Sequence, residues 1–206
     1  ASLTKLMTAL VVAENVDLNK TISVKPEMLE AYGSTKGLEV GKIFRPVELF
    51  YPLLIESSND ASEVLAGFLG RQKTINLMNE KAKAILMENS EFVDPSGFDP
   101  QNTSTAEDLY RLAKYIFEAR PLIWEISKGK KVRVFGELGF NIDELWNKNI
   151  FINDPNFLGG KTGYIKQSKY TGIFIFQFFD QNEEKRDIVI IVLGSDNLRE
   201  DVQKIY

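Results

Sequence analysis

Two strand-length apolar runs, residues 170–179 and 187–194, lie near the end of the chain with only the polar stretch 180–186 between them. So short a connection suits a hairpin, and an antiparallel pair is expected. Upstream, the apolar residues recur with helical spacing instead. Leu3, Leu6, Met7, Leu10 and Val11 mark one stripe, and Ile75, Met78, Ala82, Ile85 and Leu86 mark another in a helix expected over residues 74–87. Arg45-Pro46 opens a helix with Pro near its first position, and Pro52 predicts a kink or an end. Asn59 or Asp60 is expected to cap a helix reaching about residue 69. Thr105, with Asp108 three residues on, fits a capping box for a helix to about residue 119. A weak alternation predicts a short strand over residues 131–135, and Gly159-Gly160 is expected to break the chain. Helices thus fill the middle and strands the last third. The expected class is α/β of the α+β type, an antiparallel sheet packed with helices. It forms one domain over residues 1–206, with a mainly helical lobe inserted at roughly 20–150 and C-terminal strands over 160–195.

Composition narrows the chemistry. The 206 residues include no His and no Cys. That removes a Ser-His-Asp triad, a thiolate nucleophile, and His- or Cys-ligated metal sites. With 25 basic against 29 acidic residues the net charge is −4, which gives no electrostatic footprint for nucleic acid. Every apolar run is far shorter than the ~20 residues of a membrane span. A covalent mechanism would have to use Ser or Thr as nucleophile and Lys as base.

Three short motifs offer those groups. Ser2-Leu3-Thr4-Lys5 places a Ser and a Lys three residues apart, on one face of the first helix. Ser57-Ser58-Asn59 supplies hydroxyl and amide groups able to move protons and hold a substrate amide. Lys161-Thr162-Gly163, at the entry to the strands, offers a cation and a hydroxyl for a carboxylate, and a Gly where backbone approaches closely. Each has a plainer reading alone: a helix-capping Ser with a solvated Lys, a loop and cap, a strand start. Their order and spacing together, 55 residues from Ser2 to Ser57 and 104 on to Lys161, match the S-x-x-K, S-D-N and K-T-G set of penicillin-interacting serine enzymes, with Ser58 where that set has Asp.

On these residues the chain resembles the low-molecular-mass penicillin-binding proteins, the serine D-alanyl-D-alanine carboxypeptidases. The resemblance extends through residues 1–9, 78–82, 92–97, 104–109, Asn147-Lys148-Asn149 and Gly159–Tyr164. It implies a β-lactamase/transpeptidase-like fold whose N-terminal strands are expected upstream of Ala1, which would leave strand 187–194 with an open edge. It implies Ser2 as nucleophile, Lys5 as its base, and Ser57 and Asn59 flanking the cleft. Lys161, Thr162 and Gly163 would face the substrate carboxylate. The N–H groups of Ser2 and Tyr164 would form the oxyanion hole, and Arg199 would be a second carboxylate contact. It implies no cofactor, a peptidoglycan stem peptide as substrate, β-lactams as covalent inhibitors, and work outside the cytoplasmic membrane. An endopeptidase cutting cross-links shares the motifs. A class A β-lactamase would need a deacylating Glu, for which Asp143-Glu144-Leu145-Trp146-Asn147 offers a superficial match. A catalytically silent binding module is the alternative from another class.

Overall fold

A computed structural model describes residues 1–29, 35–132 and 138–206. The strand expected over residues 131–135 falls at positions 133–135 outside them. The first helix, α1 (Thr4–Asn15), is buried from Thr4 through Val12, with Lys5 and Thr8 fully inside. The apolar stripe is therefore only part of its contact surface, and helices on several sides enclose it. Strand β1 (Ile22–Ser23) pairs antiparallel with β2 (Ile43–Phe44). Next come α2 (Pro46–Tyr51), α3 (Asn59–Gly67), α4 (Arg71–Ala84), α5 (Ala106–Ala119) and the six-residue α6 (Leu122–Ser127). The sequence pattern does not announce α6, which is too short to show periodicity, yet its Ile123, Trp124 and Ile126 are core residues.

The chain closes with β3 (Phe157–Ile165), β4 (Lys169–Phe179), β5 (Lys185–Ser195) and α7 (Leu198–Ile205). The sheet is antiparallel in the order β3-β4-β5, as the hairpin spacing predicts. Strand β4 is central and buried on both faces, which explains its unbroken apolar run. Ile173 and Ile175 join the helical core around α1, while Phe174 and Phe176 face α7 together with Phe151, Phe157 and Ile190. The aromatic rings there meet edge to face, with Phe151 and Phe174 centroids 5.1 Å apart. Helices α5 and α7 pack against β5.

Pro52 falls where expected, at the end of α2, but the chain stays helical beyond it and passes into a wider π turn, Pro52–Glu56, which absorbs the missing donor. Two expectations change in detail. Gly159-Gly160 does not break the chain but lies inside β3. A Cβ at Gly159 would stand 2.9 Å from the Trp124 carbonyl and Ser127 Oγ, so the pair permits close approach of β3 to α6. The capping box at α5 is half formed. Thr105 Oγ1 accepts from the Asp108 N–H at 3.2 Å, but the Asp108 carboxylate turns away to accept from Asn89 N and Ser90 Oγ, both at 2.8 Å.

That geometry separates two substitutions. Thr105→Ala should cost about 1 kcal/mol, the worth of a cap. Asp108→Ala should cost more, roughly 2–3 kcal/mol, because it removes a buried carboxylate that accepts two further hydrogen bonds. Urea unfolding of both variants measures the difference, and equal losses would contradict it.

Candidate active site

Lys5 is the centre of the site. It is fully buried in the first turn of α1, and its Nζ has three oxygens around it. Ser2 Oγ is 3.0 Å away, Asn59 Oδ1 2.7 Å and the Ser96 carbonyl 2.5 Å. The last two oxygens can only accept. A neutral amine has two N–H groups and one lone pair, so both hydrogens go to Asn59 and Ser96 and the lone pair faces the Ser2 hydroxyl. Ser2 Oγ caps no helix N–H; the residue flanking α1 is Leu3, without a side-chain cap. The plain reading of a capping Ser beside a solvated Lys therefore fails on both counts.

The second motif divides its labour among three consecutive residues. Ser58 is the cap of α3, its Oγ accepting from Ala61 N at 3.0 Å and from the Thr35 hydroxyl. That replaces Asn59 or Asp60 as the expected cap, and the Asn59 side chain reaches Lys5 instead. Ser57 has φ 61° and ψ 38°, a left-handed conformation that costs a non-Gly residue about 1–2 kcal/mol. This turn sends its hydroxyl to Lys161, whose Nζ donates to Ser57 Oγ at 2.8 Å and to the Thr162 carbonyl at 2.6 Å.

The third motif lies on β3, an edge strand. Lys161 is buried and Thr162 Oγ1 donates to the Lys148 carbonyl at 3.3 Å. Gly163 abuts the start of α1: a Cβ there would stand 2.7 Å from Ser2 N. Gly is needed at this position by the chain's own packing, before any substrate arrives. Ser2, Ser57, Asn59, Lys148, Thr162 and Tyr164 line a cleft of about 330 Å³, and among the described residues no acidic side chain lines it.

The electrostatics follow from burial. Burial draws the Lys5 ammonium down to about 7; Lys148 adds to the fall, while Asp94 and Glu63 oppose it. Lys161 is also driven well below the usual lysine range, first by burial and then by Lys5 and Lys148. Two buried amines in one site cannot both carry charge without an anion between them.

A sequence profile described as D-alanyl-D-alanine carboxypeptidase matches residues 1–197. The chain belongs to that family. The carboxypeptidase DacB2 of Mycobacterium tuberculosis is 31% identical over 179 residues, covering 83% of this chain and 60% of the relative. A D-alanyl-D-alanine endopeptidase of Haemophilus influenzae is 34% identical over 183 residues, covering 85% and 61%. The chain thus spans about three fifths of the length of these curated relatives. A crystal structure of the carboxypeptidase from Mycobacterium tuberculosis is similar with a TM-score of 0.78 at 27% identity, over 93% of this chain and 72% of that one. Penicillin-binding protein D2 of Listeria monocytogenes in its cefotaxime-bound form gives 0.79 at 26%, over 99% and 84%. The α+β transpeptidase-like fold is shared with these structures.

Within this member of the D-alanyl-D-alanine carboxypeptidase family, two expected positions lie apart from the cleft. Arg199 is not among the residues that line it. Its guanidinium donates to the Ile150 carbonyl and lies over the Phe151 ring, 5.2 Å from the centroid, so α7 carries it to the outer face of the sheet. Glu144 is exposed, paired with Lys36 at 3.0 Å and accepting from Asn141 at 2.9 Å, and it too is absent from the cleft wall. Two cleft features lie in stretches that carry the resemblance but were given no role by it. Lys148 is an exposed cation on the wall, and residues 94–97 form the roof over Lys5. A sequence signal for the roof existed in Asp94-Pro95-Ser96-Gly97, where Gly97 has φ 78° and a Cβ would fall 2.0 Å from the Ala1 carbonyl oxygen.

Gly97→Ala should therefore lower stability by about 2 kcal/mol or more, through both the left-handed backbone and the overlap. Thermal unfolding tests this; a shift within the scatter of surface substitutions would contradict it.

Proposed function

We propose that the chain forms the catalytic unit of a serine-type D-Ala-D-Ala carboxypeptidase, which removes the terminal D-Ala of peptidoglycan stem peptides through an acyl-enzyme. The observation that carries the reading is the buried Lys5 amine with its lone pair on Ser2 Oγ. A lysine that is half neutral near pH 7 can take the Ser2 proton, which an ordinary lysine of pKa about 10.4 cannot do efficiently.

The steps follow from the groups in place. The terminal carboxylate docks against Lys161 and Thr162, and its charge draws a proton onto Lys161. Lys5 accepts the Ser2 proton as Oγ attacks the penultimate D-Ala carbonyl. The N–H groups of Ser2 and Tyr164 hold the oxyanion, an arrangement worth about 3–4 kcal/mol. The tetrahedral intermediate collapses, the C–N bond breaks, and the departing amine takes a proton from the Lys5 ammonium, with the Ser57 hydroxyl as relay. Water then cleaves the ester. Asn59 fixes Lys5 and faces the substrate amide. Lys148 adds positive charge at the carboxylate end.

Such a substrate places the enzyme outside the bacterial cytoplasmic membrane. Among the described residues no helix is long and apolar enough to cross a membrane. β-Lactams, whose carboxylate and strained amide imitate the terminal dipeptide, would acylate Ser2, and among the described residues no acid lines the cleft to hydrolyse the adduct as class A enzymes do. Cutting a cross-link between stem peptides uses the same groups, and the relative named as an endopeptidase keeps that second reading in play.

Penicillin labelling followed by intact mass tests the proposal. Wild type should gain one adduct and Ser2→Ala none, with unchanged stability because Ser2 caps nothing. The labelling rate should rise with pH through about 7 as Lys5 loses its proton. Labelling of Ser2→Ala, or a rate that is flat across that region, would overturn the assignment.

A further inference from the structure

The loop over residues 94–97 contributes no side chain to the cleft chemistry described above, yet it is densely hydrogen-bonded. Asp94 Oδ1 accepts from Ser96 N at 2.6 Å, Ser96 Oγ at 3.1 Å and Gly97 N at 2.5 Å. Its Oδ2 accepts from Asp99 N at 2.5 Å. The Pro95 carbonyl accepts from Thr8 Oγ1 of α1 at 2.6 Å and from the Ser62 hydroxyl of α3, so the turn is fastened to both helices that supply Lys5 and Asn59. Asn102 Oδ1 holds the entry, accepting from Val93 N at 2.7 Å and Asp94 N at 3.3 Å. The product of these bonds is one carbonyl, that of Ser96, held 2.5 Å from Lys5 Nζ.

We propose that Asp94 is a positioning residue for acylation: its carboxylate builds the turn that holds the Ser96 carbonyl on the Lys5 amine and so aims the lone pair at Ser2 Oγ. The proposal rests on the reading of Ser2 as nucleophile and Lys5 as base. Without the Ser96 carbonyl, one Lys5 hydrogen has no partner and the amine can rotate a hydrogen toward Ser2, which blocks proton transfer. Asp94 has a second effect through space. Burial pushes its carboxyl up, but the N–H groups of Asp99, Gly97 and Ser96 outweigh that and hold it below the usual range, so it stays charged. Its charge favours the Lys5 ammonium. The other groups acting on Lys5 are Glu63 in the same sense and Lys148 in the opposite one. Lys161 also shares the site and is itself lowered, first by burial and then by Lys5 and Lys148.

Asp94→Asn tests the proposal, because an amide can accept on one side only and carries no charge. Its penicillin acylation rate is measured against pH beside wild type and Asn102→Ala, which loosens the same loop without removing a charge. Asp94→Asn should acylate roughly 10–100-fold more slowly at the plateau, and its acid limb should move to lower pH. Asn102→Ala should lower thermal stability and leave the limb in place. A folded Asp94→Asn with the wild-type limb overturns the proposal, whether its plateau is unchanged or merely reduced as in Asn102→Ala. Should Asp94→Asn not fold, Ser96→Ala removes the hydroxyl's bonds to Asp94 Oδ1 and Phe98 N and keeps the charge. There a slower plateau with an unmoved limb supports the proposal, and a wild-type plateau overturns it. Mapping the adduct in wild type separates the two levels: an adduct away from Ser2 removes the underlying reading, whereas an adduct on Ser2 with an unaffected Asp94→Asn removes only this one.

Discussion

The Lys5 amine is withdrawn from water and held by oxygens from three separate parts of the chain: Ser2 ahead of α1, Asn59 at the start of α3, and Ser96 in the loop before α5. Stripping an ammonium of water without a compensating anion costs several kcal/mol, so the amine loses its proton instead. The neutral form then needs two acceptors for its hydrogens, and the protein provides two. The helical core around α1 exists in large part to keep that arrangement dry. The buried run from Thr4 to Val12 sets the helix, and Thr8 ties it to the Pro95 carbonyl.

The sheet supplies the other half of the site through a second buried amine. Lys161 reaches from β3 to Ser57, across 104 residues of sequence, and so joins the strand region to the helical one. Gly163 and Gly159 let β3 lie against α1 and α6. Two buried lysines, each bonded to a serine hydroxyl of a cleft that has no acidic side chain among the described residues, make an anion the natural ligand, and a docked carboxylate would offset the burial that lowers Lys161. The left-handed Ser57 is strained backbone retained because it points one hydroxyl at that amine.

Much of this was legible in the letters of the chain. The two apolar runs joined by residues 180–186 specify an antiparallel hairpin, and the three motifs in order name most of the cleft. What stayed hidden depends on contacts between distant segments. The Ser96 carbonyl lies 91 residues from Lys5, and a backbone oxygen leaves no mark in a motif. Lys148 reads as an ordinary surface charge until β3 folds beside it. Arg199 carries the right charge for a carboxylate but sits on α7, whose amphipathic turn delivers it to Phe151 instead. Ser58 looked like a departure from the motif and proves to be the cap that frees its neighbours on either side. The half-formed box at Thr105 failed for a related reason: the donors of Asn89 and Ser90, 18 or more residues away in sequence, compete for the same carboxylate.

The protonation state of Lys5 in the free protein tests the account most directly. Lysine labelled with 13C at Cε can be followed by NMR through a pH titration, with the Lys5 signal identified by its absence in Lys5→Met. An amine emptied of its proton by burial should give a midpoint at about 7. A midpoint near the ordinary lysine value of about 10.4 would mean that the buried amine stays charged, and would contradict its role as the base.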